Sequence, residues 1–263
     1  MIILQSKKFQ HQGCKLPRGS HTLRLQSLRL NDDNTQIENF YQVGPETHEI
    51  ISLSAILCKF LDGKSSEFLR TKNQLGYCVS FNFTNVQNII GISLTVVSQE
   101  KKHKFFDVYS KMDEFISKIA VEALDNMKEE ELENVKKAII KDLMAPDLTL
   151  ASEIARNYDE ISKLSYDFIK KQKIAELTND LTKKKLLEFY HQTFYHENMR
   201  KLSVQIIGNI DDGTQNESSE KISEYKIFTK KLSIDEQLIQ DPVEFKNSLK
   251  LFPQYYSKKD LNK

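Results

Sequence analysis

Residues 22 to 43 alternate apolar and polar positions in two stretches, TLRLQSLRL and TQIENFYQV, on either side of a polar turn at Asn31 to Asn34. A period of two puts successive side chains on opposite faces of a strand, so this segment predicts a hairpin. From Glu46 the period changes: Ile50, Leu53, Ile56, Leu57, Phe60 and Leu61 recur at three and four, which predicts a helix with one buried face. The Asp62–Gly63 pair is expected to stop it, and a short second helix is expected from Ser65 or Ser66 as N-cap to about Lys72. YCVSFNF then returns to period two with Tyr77, Val79, Phe81 and Phe83 on one face, and IIGISLTVVS follows as its partner, predicting a central antiparallel hairpin.

Phe105, Val108, Tyr109, Met112, Phe115, Ile116 and Ile119 predict a long amphipathic helix. Asn126 with Glu129 suits the start of the next helix, which carries Leu132, Val135, Ile139 and Leu143 inward and ends near Pro146. Helical patterns follow at about 150–164 and 182–195, and KLSVQIIG, from Lys201 to Gly208, is the last alternating strand. Beyond a polar stretch at 211–221, expected as a solvated loop, Asp241 as cap, Pro242 at the first position and Glu244 at the third mark a short terminal helix. Strands grouped at the ends with helices between them favour the α+β class, an antiparallel sheet with helices packed on one face, over a doubly wound parallel sheet.

Composition narrows the partners. The 263 residues are 39% hydrophobic, enough for a proper core, and 38 Lys and Arg against 37 Asp and Glu leave a formal charge of +1. No long-range field directs such a chain to nucleic acid or an acidic membrane. Cys14, Cys58 and Cys78 match no zinc knuckle or disulfide framework; Cys58 and Cys78 sit in apolar runs and are expected as buried, reduced thiols. The opening MIILQSKKFQ lacks a secretory apolar core and no later run approaches a membrane span, so an intracellular, cytoplasmic protein is expected.

A search for chemistry finds no complete active site. None of His11, His21, His48, His103, His191 and His196 has a second ligand at helical spacing. HEIIS and HENMR begin like HExxH but lack the second histidine, so no metal site is expected and the histidines are expected as exposed polar residues on helix surfaces. No GxSxG, Walker or GxGxxG pattern occurs. The lysine pairs and triplets near 101, 170 and 182 are expected to be solvated faces balanced by nearby glutamates.

One stretch remains, EFLRTKNQLGYCVSFNF at 67 to 83. Its core, LRTKNQLGY, resembles the signature of the C-terminal domain of the insulysin and pitrilysin group of inverzincin metallopeptidases. LPRG at 16, IENFYQ at 37, SLTVVSQE at 93, MKEEELENVKKAIIKDL at 127, LTKKKLLEFYHQTF at 181 and PVEFKNSLKLFP at 242 extend the resemblance in the same order. The resemblance implies an enzyme of four related α+β domains paired into two halves around a peptide, with zinc held in the N-terminal half by an HxxEH motif and a downstream glutamate. HxxEH is absent here, so the expected organisation is an N-terminal extension at 1–15, an insulysin-like C-terminal domain without zinc motif at 16–210, and a loop and C-terminal helical segment packing on it at 211–263. Whether as fragment, separate gene product or partner subunit, the chain is expected to be inactive alone, with zinc in a partner half.

Arg70 offers guanidinium donors that never titrate away and Tyr77 a phenolic O–H, so two donors at one helix-to-strand junction can meet a single carbonyl. The resemblance implies that Arg70 and Tyr77 hydrogen-bond substrate carbonyls and support the transition state, with Gly76 as the supporting turn. The plainer alternative pairs Arg70 with a carboxylate such as Glu67 and leaves Tyr77 as a strand anchor. The function expected is a substrate-binding half-module of a peptide-degrading zinc endopeptidase. Two alternatives stay open, a catalytically silent family member acting as scaffold or peptide-binding subunit, and an unrelated interaction module.

Overall fold

A computed structural model describes residues 13–162, 165–195, 197–209, 226–228, 231 and 236–252. His11, His196 and the expected loop at 211–221 lie outside the described residues. The strands are β1 (Cys14–Lys15), β2 (Gly19–Gln26), β3 (Asn34–Pro45), β4 (Cys78–Val86), β5 (Ile89–Gln99), β6 (Arg200–Ile207), β7 (Glu236–Leu238) and β8 (Lys250–Leu251). The helices are α1 (His48–Ser65), α2 (Phe105–Glu114), α3 (Ala120–Asp125), α4 (Glu129–Met144), α5 (Leu150–Ser162), α6 (Lys170–Asp180), α7 (Lys183–Phe194) and α8 (Pro242–Ser248), with π-helical segments at Ser66–Lys72 and Phe115–Ile119. The class is α+β, as the order of elements implies.

The main sheet runs β4-β5-β3-β6-β2-β7. It is antiparallel from β4 to β6 and parallel where β2 meets β6 and β7. The expected β2–β3 hairpin does not form, because β6 lies between the two strands. An alternating pattern decides which side chains share a face but not which strand becomes the neighbour. The β4–β5 hairpin does form, closed at Gln87 and Asn88 with φ of 52° and 62°, the double left-handed turn that suits the strand twist. It sits at the sheet edge rather than the centre.

Register explains where the core lies. Ile37, Val96 and Val79 are cross-strand neighbours, as are Tyr41, Ile92 and Phe83, and all look toward the helices. Tyr190 and Phe194 of α7 stack at 4.7 Å, and Phe194 meets Tyr41 at 4.6 Å. The same face continues onto β6 and β2 with Lys201, Ser203, Gln205, Thr22 and Arg24, all buried, while Leu202, Val204 and Ile206 turn to the other face and are only half-buried. On β6 the alternation is real but its polarity is inverted. That second face is covered in part by α8, whose Phe245 ring lies 5.4 Å from the His21 ring. The capping expected there is present: the Asp241 carboxylate accepts from the N–H groups of Val243 at 2.7 Å and Glu244 at 3.1 Å.

Two helix boundaries and the winding of one helix differ from expectation. Gly63 does not stop α1, which runs on into the Ser66–Lys72 segment; a glycine costs a helix only about 1 kcal/mol, and the Asp62 carboxylate instead accepts the Phe81 N–H at 2.9 Å. The long helix from Phe105 contains a π-helical segment, whose Phe115 lies 6.2 Å from the rings of both Phe68 and Phe81. Helix α4 begins two residues later than Asn126 suggested, with Glu131 reaching back to the Lys128 N–H at 3.0 Å. Helix α6 had no sequence expectation of its own; it buries Ile174, Ala175 and Thr178.

Two buried cations cross the polar part of the sheet. Arg24, 1% exposed, donates to Gln205 and Glu236, each at 2.7 Å, tying β2 to β6 and β7 beneath the Phe105 ring. The Lys201 ammonium donates to Asp113 at 2.7 Å and to the Tyr109 hydroxyl at 3.1 Å, and lies over the Tyr109 and Tyr41 rings. Burial alone would push Lys201 down, but the oxygens of Tyr41, Tyr109 and Asp113 more than offset it and hold its pKa above the ordinary lysine range. Burial also pushes up the phenols of Tyr41, Tyr109 and Tyr190. All four groups therefore keep their protons in the folded state at pH values where the unfolded chain loses them, so their stabilisation is complete below about pH 10 and is lost above it. Burial raises the Cys58 thiol in the same sense, so the thermal midpoint is expected to hold level from neutral pH to about pH 8, to decline from there as the thiol would ionise in the unfolded chain, and to fall steeply above about pH 10; a midpoint that rises with pH over this range contradicts the assignment.

Candidate functional site

The site lies where the Ser66–Lys72 segment hands over to β4. Leu69 points into the core, fully buried, so its neighbour Arg70 faces out. The carbonyls that end the helix are satisfied locally: Phe68 O accepts from the Asn73 N–H at 3.1 Å and the Asn73 side-chain amide at 2.8 Å, and Leu69 O accepts from the Leu75 N–H at 3.0 Å. Gln74 takes the left-handed conformation, φ 52°, to reverse the chain. Leu75 then plugs the core, and its carbonyl accepts the Ser98 hydroxyl.

Gly76 presses flat on β5. A Cβ at this position would sit 2.1 Å from the Val97 carbonyl oxygen, so only glycine permits the approach. The next N–H, from Tyr77, donates to that same oxygen at 3.2 Å. Tyr77 is left 59% exposed. Arg70 and Tyr77 thus line one open cleft of about 300 Å³ with Gln74, Leu75, Gly76, Gln99, Lys102 and His103. Glu67, the alternative partner for Arg70, is engaged by Lys72 at 2.9 Å, which holds its carboxyl below the usual range. Among the described residues neither the guanidinium nor the phenol has a side-chain hydrogen bond or ion pair.

Gln99, Lys102 and His103 had no assigned role in the sequence. The signal that finds them is the hairpin register, which sets Cys78 opposite Val97 and so brings the end of β5 beside Tyr77. Elsewhere the histidines depart from expectation: His21 is buried on a strand, where burial lowers its pKa, and His48 contacts Asp167 at 2.7 Å. Among the described residues no three His, Cys, Asp or Glu side chains converge, so those present do not fit a zinc ion. Cys58 is buried as expected, but Cys78 is exposed, because it lies on the solvent side of an edge strand opposite the face of Val79 and Phe81. Among the described residues no helix is long and apolar enough to cross a membrane.

A second surface stands out. Leu150, Ile154, Tyr158 and Ile161 recur along α5 at helical spacing and are all exposed, from 73% at Leu150 to 45% at Ile161. Leu148, Tyr166, Phe168 and Ile169 extend the exposure on either side. Clustered large apolar residues of this kind mark interaction surfaces more often than ordinary solvent faces.

The sheet with its helical layer and edge hairpin defines an α+β domain of the pitrilysin kind: the solved structure of pitrilysin superposes with a TM-score of 0.70 over 92% of this chain and 24% of its own, at 19% identity. A solved structure described as a peptidase M16 inactive domain from Pseudomonas fluorescens gives 0.53 over 74% of this chain and 45% of its own, at 11% identity. Residues 56–158 match the family described as PQQ synthase PqqF-like, C-terminal lobe domain 4. Human nardilysin is 29% identical over 204 residues, 78% of this chain and 18% of the relative. The A-factor-processing enzyme of Saccharomyces cerevisiae is 26% identical over 254 residues, 93% and 23%, and human insulin-degrading enzyme 23% identical over 260 residues, 95% and 24%. The chain is similar to the C-terminal domain of the insulinase-like peptidases. It spans no more than about a quarter of the length of these relatives.

The Gly76 contact is open to direct measurement. Gly76→Ala is expected to cost about 1–3 kcal/mol in urea unfolding, since either the junction or β5 must shift. Gly63→Ala, whose added Cβ meets nothing within 4 Å inside α1, is expected to gain about 0.5–1 kcal/mol. Equal effects at the two positions would refute the close-approach account.

Proposed function

We propose that this chain is the substrate-binding C-terminal half-module of an insulysin-like zinc metalloendopeptidase, and that residues 16–210 form the domain that does the binding. The observation that carries the reading is the pair of uncommitted donors, Arg70 and Tyr77, in one cleft on a junction pinned at Gly76. In this reading both donate to a carbonyl of the bound peptide, and the donation strengthens as the oxygen gains charge. Zinc belongs to the partner half. The partner covers the apolar stripe of α5. A silent scaffold is the weaker alternative, since a scaffold has no chemical need for two unpaired donors.

Two experiments test the reading in an assembly reconstituted with a zinc-bearing half. Tyr77→Phe keeps the ring but loses one donor, and turnover is expected to fall by about 10² with the loss in kcat more than KM; Arg70→Lys keeps the charge but loses the planar fork and is expected to lower turnover as well. Unfolding midpoints stay put because neither side chain has a folding partner. A well-folded double variant with unchanged kcat/KM removes the assignment. For assembly, Ile154→Lys with Tyr158→Lys is expected to abolish binding to the zinc-bearing half without lowering the unfolding midpoint, and retained binding would place the interface elsewhere.

A further inference from the structure

The two clefts flanking the Ser66–Lys72 segment differ in charge. The larger, about 430 Å³, is balanced by three lysines, at 64, 72 and 128, and three glutamates, at 67, 122 and 131. The smaller carries Arg70 and Lys102, the amides of Gln74 and Gln99, and no carboxylate. The carboxylate best placed in sequence to neutralise it, Glu100, is buried and turned away, accepting the Thr35 hydroxyl at 3.0 Å and the Phe105 N–H at 3.1 Å. Lys101 is drawn off toward Asp33 at 4.0 Å, whereas Lys102 has no ion pair among the described residues. The backbone at Lys102 is held in place, because its N–H and that of His103 both donate to Gln99 O, at 2.9 and 3.0 Å.

We infer that the Lys102 end of this cleft is a subsite for a carboxylate of the bound peptide, carried on an acidic side chain or at a free C-terminus and lying next to the carbonyl held by Arg70 and Tyr77. The inference rests on the peptide-binding reading above and adds a substrate class to it. An uncompensated cationic cleft attracts an anion and disfavours a basic residue at the same place. Because the groups are exposed, the preference is modest and sensitive to salt.

Calorimetric titration of the whole chain with three peptides of one sequence tests it: a C-terminal amide with Glu at the variable position, the same amide with Gln, and the Gln peptide as a free acid. One of the two carboxylate peptides is expected to bind about fivefold more tightly than the Gln amide at low ionic strength, and which one does so identifies the source of the carboxylate. The advantage is expected to vanish by about 0.5 M salt and in Lys102→Gln, but to survive in Lys101→Gln. Equal affinity for all three peptides, or a preference that survives Lys102→Gln, overturns the subsite. Arg70→Gln reports on the underlying reading through the neutral amide alone. If it weakens that peptide while no carboxylate preference exists, the subsite falls and the carbonyl donors stand; if it leaves that peptide unaffected while the Lys102-dependent preference persists, the subsite stands and the donor reading falls. Failure of every peptide to bind at millimolar concentration overturns both.

Discussion

The contact of Gly76 with the Val97 carbonyl governs the candidate site, because two backbones meet there with no side chain between them. Strand β5 is paired on both sides, with β4 and β3, so it cannot yield to relieve a clash. The helix end is pulled onto this fixed strand through Leu75 in the core and the Ser98 hydroxyl. Arg70 and Tyr77 inherit their positions from that anchoring rather than from partners of their own. A donor pair fixed through the backbone keeps its side-chain hydrogen-bonding capacity for a ligand, which is the condition for preorganised recognition.

The helical core was legible because apolar residues at three and four spacing mean the same thing wherever they occur. Terminal capping was legible too, since Asp241, Pro242 and Glu244 act within one turn. Strand partners were not, because pairing depends on residues far away in sequence, and β6 from beyond residue 199 divides β2 from β3. The inner face of β6 and β2 defeated pattern reading for a different reason. It buries Lys201, Ser203, Gln205 and Arg24, and their cost is met by Asp113, Tyr109, Glu236 and the aromatic rings above them, none of which local polarity reveals.

The candidate site divides along the same line. Arg70, Gly76 and Tyr77 lie within eight residues of one another, so a local motif carries them. Gln99, Lys102 and His103 join them only through the register of the hairpin, and Lys102 looks in sequence like part of any solvated cluster. Glu100 marks the limit of sequence reading most sharply: next to Lys101 and Lys102 it suggests neutralisation, yet its side chain is spent on Thr35 and the start of α2.

The π-helical form of Ser66–Lys72 makes the orientation of the cleft a matter of helix winding. A π turn holds one more residue than an α turn, and such insertions persist in helices where the displaced side chains are useful. Were the segment to rewind to ordinary α geometry with no residue lost, its C-terminal end would turn by about 100° relative to α1. Arg70 would then face away from Tyr77 while Leu75 and Gly76 held their places against the sheet. The winding of the helix is therefore as much a part of the recognition element as the arginine and tyrosine, and relatives that keep both side chains but wind this segment differently would present a different surface to a peptide.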